Sequence, residues 1–246
     1  MRFSIFDRSQ RALHVAGFVR ALVAYVASPH VDSVLRLERH AVGLADAAAR
    51  KAFSDSVCSS VSLSKVMQDR WLPDIYTRDD LSTYPEGTLG YAFYRHLVDN
   101  ELQVDFWPAS ISVDDDMEYF RLRMYQAHDI LHAVAGFGTT DQEEMGIVGF
   151  YLGQGEAALH DEHVAPIVFS ALLGAATLLN MALRRNELLR PALRLFHDGY
   201  RRGAAAEPLH AVRWEELFNQ PLSEVRARLG IEAPTLDAQG CCRPTT

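Results

Sequence analysis

No stretch of this 246-residue chain alternates polar and apolar residues over a useful length, so almost nothing in it is expected to form a strand. No segment repeats, and no glycine-rich phosphate-binding loop is present. Lysine is nearly absent: Lys51 and Lys65 are the only two, and no Lys/Arg-rich block stands out. With a formal net charge of -8, this excludes nucleic acid as the main partner. Cysteine is scarce too. Cys58, Cys241 and Cys242 form no CxxC pair and no disulfide framework, which favours a reducing compartment. Cys242 is followed by four residues, so the C-terminus is not a prenylation box.

What remains is helical. Apolar residues make up 48% and charged residues 23%, ordinary for a globular protein, and the length suits one all-α domain over residues 1–232 with a tail over 233–246. Helical spacing predicts helices over Ser9 to Ala27, Val31 to Ala49 and, from a turn at Tyr84–Gly90, through Tyr91, Phe93, Leu97 and Val98. Phe53 to Pro73 reads as a helix or a linker. Acidic residues at Asp114, Asp115 and Asp116 open a helix running to Ala135. Gln142 to Leu159 and Val164 to Leu189 are the most apolar helices and should be central, with Pro191 to Ala206 following. A short helix after Pro221 stops at Gly230. Two segments imitate other signals. The arginine-bearing stretch Phe3 to Val26 superficially resembles a transit peptide but suits a first structural helix. Val164 to Leu183 is just long enough to span a bilayer, but Ser170, Gly174, Thr177 and Asn180 point to a buried central helix, with membrane contact second.

Chemistry concentrates between His128 and Glu144. On a helix, His128 and His132 lie four apart and Asp129 and His132 three apart, so two imidazoles and a carboxylate share one turn. Gly136-Phe137-Gly138 stops that helix, and Thr140 with Glu143 has capping-box spacing for the next. The turn can swing Glu144, eleven residues after His132, back beside the histidines. Such nitrogen and oxygen ligands suit zinc, iron, cobalt or manganese. An ordinary hydrogen-bonded pair on a wet face has the same spacing, but Ile130, Leu131, Val134, Ile147, Val148 and Phe150 favour a site sunk in the core. His160-Asp161-Glu162-His163 is a weaker second cluster, expected in a solvated turn. Gly146, Gly149, Gly153, Gly155, Gly174, Ala175 and Ala176 either leave room for a lipid tail or serve helix packing. Arg201-Arg202 either pairs with an acidic head group or marks an exposed helix end.

Three stretches together resemble the coenzyme Q biosynthesis protein 4 family. They are Pro85-Glu86-Gly87-Thr88-Leu89-Gly90, His128-Asp129-x-x-His132 with Glu144, and Trp214-Glu215-Glu216-Leu217 followed by Pro221-Leu222-x-Glu224-Val225-Arg226. The resemblance implies a helical protein of the ubiquinone pathway at a membrane surface. Its divalent metal, commonly zinc, would be held by His128, Asp129, His132 and Glu144. The implied activity removes the ring carboxylate of a polyprenylated hydroxybenzoate and installs a hydroxyl at that carbon. Asp129, if not a ligand, would orient a histidine or move a proton at the ring carbon. The implied alternative is a scaffold that binds isoprenoid lipids and organises other quinone-biosynthesis proteins. The location expected is bacterial-type: cytoplasmic, peripheral to the inner membrane face, without a transit peptide. A homodimer is the base-rate expectation.

Overall fold

The computed structural model describes residues 5–60, 63–104, 113, 115–158, 165–233, 235–236 and 242–243. Their architecture is helical: α1 (Ile5–Ala27), α2 (Val31–Leu44), α3 (Ala47–Ser59), α4 (Leu63–Asp69), α5 (Arg78–Ser82), α6 (Leu89–Asp99), α7 (Asp116–Ala135), α8 (Asp141–Ala158), α9 (Ala165–Arg184), α10 (Asn186–Ala205), a 3-10 turn (Trp214–Leu217) and α11 (Leu222–Arg228). Within the expected tail, β1 (Thr235–Leu236) and β2 (Cys242–Arg243) pair antiparallel over two residues each. None of the described helices is long and apolar enough to cross a membrane.

Local chemistry explains where expectation and structure differ. The predicted helix over Val31 to Ala49 breaks after Leu44, because Asp46 accepts the Ala49 N–H at 2.9 Å and so caps a separate α3. The short α5 was missed. It is nucleated by a reciprocal capping box between Thr77 and Asp80. The predicted break near Pro191 falls instead at Arg185, and Pro191 sits inside α10.

Helix α7, which carries His128, Asp129 and His132, is central. Its inner residues Ile130, Leu131, Val134 and Ala135 join Phe93 and Leu97 of α6, Ile147 and Phe150 of α8 and Trp214 in the largest core cluster. On the other flank, Met117, Tyr119 and Phe120 of α7 meet Phe53 and Val57 of α3. The long hairpin of α1 and α2 is tied to α9 by Tyr25 Oη to Thr177 Oγ1 at 2.8 Å and by Asn180, which donates to the Val26 carbonyl at 2.7 Å.

Helix α8 packs most closely against α10. Glycines cause this. A Cβ on Gly199 would lie 1.9 Å from the Gly146 carbonyl oxygen, and one on Gly149 would lie 2.1 Å from that of Phe196. These glycines therefore allow two backbones to touch, which decides for helix packing over a lipid groove at those positions.

Two predictions follow from the packing. Gly199→Ala forces α8 and α10 apart and is expected to cost at least about 1–3 kcal/mol in chemical denaturation; an unchanged midpoint would contradict the backbone contact. His210 has both ring nitrogens buried without a hydrogen-bond partner among the described residues, its ring stacked on Phe120 at 5.5 Å. Burial pushes its pKa down to about 4 from 6.5. The unfolded chain takes up this proton first, so the stability of the neutral form is present above about pH 6.5 and falls as pH drops toward 4. His210→Phe is expected to flatten that fall in Tm, whereas an acid limb parallel to wild type would refute it.

Candidate functional site

Helix α7 starts with Asp115, whose carboxylate accepts the Glu118 N–H at 3.1 Å. It ends at Gly136, which adopts φ 74° and donates its N–H to the His132 carbonyl at 2.7 Å. That left-handed conformation is cheap for glycine and turns the chain at once into Phe137. Phe137 is buried against Gly146 and its carbonyl accepts the His132 Nδ1–H at 3.1 Å. The next turn begins α8, where the Glu143 and Glu144 N–H groups both bond to the Thr140 carbonyl, at 2.8 and 2.9 Å. The Thr140 hydroxyl donates to the Glu143 carboxylate at 2.6 Å.

The structure brings His128, Asp129 and His132 together, one ligand atom of each lying within 4.8 Å of the others. Glu144 is placed beside His132 and outside that mutual cluster, its Oε1 3.5 Å from His132 Nε2. His128 Nδ1 and Asp129 Oδ1 are 3.1 Å apart, an arrangement in which Asp129 orients His128 and leaves the second ring nitrogen available.

His132 is the informative residue. Its ring is fully buried, Nδ1 is committed to the Phe137 carbonyl, and Nε2 has no hydrogen-bond partner among the described residues. An orphaned buried acceptor is costly unless something binds it. With metal–ligand bonds near 2.0–2.2 Å, neighbouring ligand atoms in a tetrahedral site stand roughly 3–3.5 Å apart, and the His132–Glu144 separation of 3.5 Å matches that span. The residues present therefore fit a divalent ion.

Charges in the cluster support one another. Burial pushes the His128 pKa down, but the Asp129 hydrogen bond and the Glu144 carboxylate outweigh it and hold it above the usual imidazole range. Burial raises Asp129, and the hydrogen bond and charge of His128 more than reverse this, leaving its carboxyl below the usual range.

Two neighbours were not anticipated from the sequence. His96 of α6 stacks on His132 with ring centroids 5.1 Å apart and planes at 22°, its Nε2 buried without a partner among the described residues. Burial and the adjacent His132 push it down to about 4, so it is neutral at ordinary pH. Tyr151 of α8 stacks on His128 at 6.1 Å, and burial raises its hydroxyl. Nothing in the spacing of either residue points to the cluster; only the tertiary fold does. The weaker cluster at residues 160–163 lies outside the described residues.

The cluster opens on a predominantly apolar cavity of about 1400 Å³ between the α1–α2 hairpin, α3, α7, α8 and α9. His128, Asp129, Glu144 and Tyr151 lie on its wall, with Val34, Val148 and Leu173 among the apolar lining.

The other two stretches singled out in the sequence fasten α7 in place. Glu215 pairs with Arg123 through two contacts of 3.2 Å, both side chains buried. Arg226 donates to the carbonyls of Val134 at 2.8 Å and Ala133 at 3.2 Å. Thr88 caps α6, and the backbone around it is bonded to the 3-10 turn and α11: Leu89 N–H to Gln220, Gly90 N–H to Phe218 and Leu222 N–H to Gly87, each at 2.9 Å. Of the expected exposed pair near the end of α10, Arg201 is exposed and pairs with Asp198 and Glu232, whereas Arg202 is not exposed. It is buried, donates to the Ala135 carbonyl at 2.5 Å and lies over the Phe137 ring. Removing one partner of the buried pair, Glu215→Ala, is expected to cost about 3–5 kcal/mol in equilibrium unfolding, and a loss below about 1 kcal/mol would contradict this role.

A family model described as coenzyme Q (ubiquinone) biosynthesis protein Coq4 matches residues 18–235. The mitochondrial ubiquinone biosynthesis protein COQ4 of Eremothecium gossypii is 31% identical over 165 residues, covering 66% of this chain and 46% of its own length. The mitochondrial COQ4 homolog of Danio rerio is 28% identical over 156 residues, 63% of this chain and 53% of its own. Thus the match spans about half the length of these curated relatives. A crystal structure from Nostoc punctiforme PCC 73102, of a candidate ubiquinone biosynthesis protein, superposes with a TM-score of 0.72 at 25% identity, covering 92% of this chain and 99% of that one. The relatives correct one expectation: the curated proteins of Eremothecium gossypii, Danio rerio and Bos taurus are mitochondrial by name, which contradicts the bacterial-type cytoplasmic location without a transit peptide. With most of its length matched, the chain belongs to the coenzyme Q (ubiquinone) biosynthesis protein Coq4 family.

Proposed function

We propose that this chain acts in ubiquinone biosynthesis on a polyprenylated hydroxybenzoate, removing the ring carboxylate as carbon dioxide and leaving a hydroxyl at that carbon. The observation that carries the reading is the buried Nε2 of His132, which has no hydrogen-bond partner among the described residues and stands 3.5 Å from Glu144 Oε1 at the edge of a large apolar cavity. His128, His132 and Glu144, with Asp129 as a further ligand or as the partner of His128, would hold a divalent ion, zinc first and iron, manganese or cobalt as alternatives. When bound, such an ion supplies Lewis-acid polarisation of a phenolate or carboxylate, and zinc brings no redox chemistry.

The chain's own groups supply the rest. The Phe137 carbonyl fixes the His132 tautomer so that its lone pair stays on Nε2. Asp129, ionised and open to the cavity, orients His128 or moves a proton at the ring carbon. The apolar wall takes the isoprenoid tail and keeps water from it. Exchange of a carboxylate for a hydroxyl at one carbon is a net two-electron oxidation, so the reaction draws on an external oxidant such as dioxygen with a reductant.

A second reading is favoured by the cavity alone: an isoprenoid-binding scaffold that gathers other quinone-biosynthesis proteins. The two separate in one assay. Protein supplied with divalent metal, oxidant and a short-chain prenylated hydroxybenzoate is expected to release carbon dioxide, and His132→Ala to abolish that release. Isoprenoid binding that survives His132→Ala, with no carbon dioxide from either protein, would overturn the enzyme in favour of the scaffold.

A further inference from the structure

One cation on the cavity wall has no part in the histidine cluster. Arg121 is the only arginine or lysine lining the cavity among the described residues. It lies on the same face of α7 as the cluster, since Arg121, Tyr125, His128 and His132 follow the spacing i, i+4, i+7 and i+11. Two helical turns, roughly 10 Å of rise, separate it from His128.

Its bonding is uneven. Nε and Nη2 are held by Glu118 at 3.0 and 2.8 Å, one turn back on the same helix. Nη1 faces Glu38 of α2 at 3.4 Å, the loosest contact of the guanidinium. All three side chains are largely buried. Two carboxylates on one guanidinium leave a surplus negative charge in an apolar cavity, which burial makes expensive. Burial accordingly pushes Glu38 up to about 7, even with Arg121 opposing it. Glu38 is thus a weakly held acid that reaches Arg121 Nη1 from α2.

We propose that Arg121 is the residue that recognises the substrate's carboxylate, with Glu38 standing in for that carboxylate when the cavity is empty. The inference rests on the hydroxybenzoate reading and gives it a direction. The ring lies along α7, its phenolic end toward His128 and His132 and its carboxylate toward Arg121. An arriving carboxylate replaces Glu38 on Nη1 and Glu38, displaced, takes up a proton, so the guanidinium still faces two carboxylates, Glu118 and the substrate's. A phosphate monoester on a prenyl chain presents similar chemistry and is the competing source of the anion.

Binding to metal-free full-length protein tests this without turnover. The probes are a geranylated para-hydroxybenzoate, the geranylated phenol that lacks the carboxylate, and geranyl monophosphate, titrated by calorimetry. Wild-type protein is expected to bind the hydroxybenzoate at least about tenfold more tightly than the phenol. Arg121→Gln should abolish this preference while leaving affinity for the phenol unchanged. Glu38→Gln, which removes the charged competitor, should tighten binding of the hydroxybenzoate alone. If Arg121→Gln does not fold by its thermal melt, the Glu38→Gln result decides. Full preference in Arg121→Gln, no preference in wild type, or no tightening in Glu38→Gln overturns the proposal. Arg121-dependent binding of the phosphate but not of the hydroxybenzoate overturns the carboxylate assignment. A clear carboxylate preference without carbon dioxide release supports the anion site and counts against the reaction alone.

Discussion

Two guanidinium groups hold the carbonyls that end α7: Arg202 from α10 on Ala135, and Arg226 from α11 on Val134 and Ala133. A helix end leaves its last carbonyls without intrahelical partners and carries the negative pole of the helix dipole, so fixed cations there satisfy both demands at once. Around this clamp the chain can stop abruptly at Gly136, and the carbonyl of Phe137 is then in reach of His132 Nδ1. The interaction that terminates the helix therefore also sets which nitrogen of His132 faces the site. Glu144 arrives on the other side because α8 starts directly after the same turn.

The clamp depends in turn on how closely α8 and α10 approach. Glycines on both helices let the backbones touch, which brings Arg202 over the Phe137 ring and under the end of α7. The opposite side of α8, with Met145, Val148 and Tyr151, is left to line the cavity. One helix is thus dense on one side, where positions must be exact to fractions of an ångström, and open on the other, where an apolar ligand has room. The histidine cluster sits at the boundary.

Much of this was legible in the sequence, and the limits have physical causes. Helix α7 and the sharing of one turn by His128, Asp129 and His132 follow from helical periodicity alone, and the stop at Gly136 from glycine chemistry. Glu144 was legible as a neighbour of His132, but periodicity fails across a turn, and the structure leaves it outside the mutual cluster of the other three. His96 was invisible because stacking on His132 depends on how α6 meets α7. Arg202 looked like a surface residue for the same reason: its partners belong to α7 and to the segment after α11. The stretches around Thr88, Trp214 and Pro221 stood out as family-like without a stated purpose, and it is the fold that joins them into one support for α6 and α7.

The central claim is that His132 Nε2, buried and without a hydrogen-bond partner among the described residues, belongs to the metal centre proposed above. Elemental analysis of the protein as purified tests it most directly, with Glu144→Ala and His132→Ala alongside. About one divalent ion per chain is expected in wild type, lost in His132→Ala and reduced in Glu144→Ala. Absence of stoichiometric metal from the wild-type protein, or a content that His132→Ala leaves unchanged, would contradict the account.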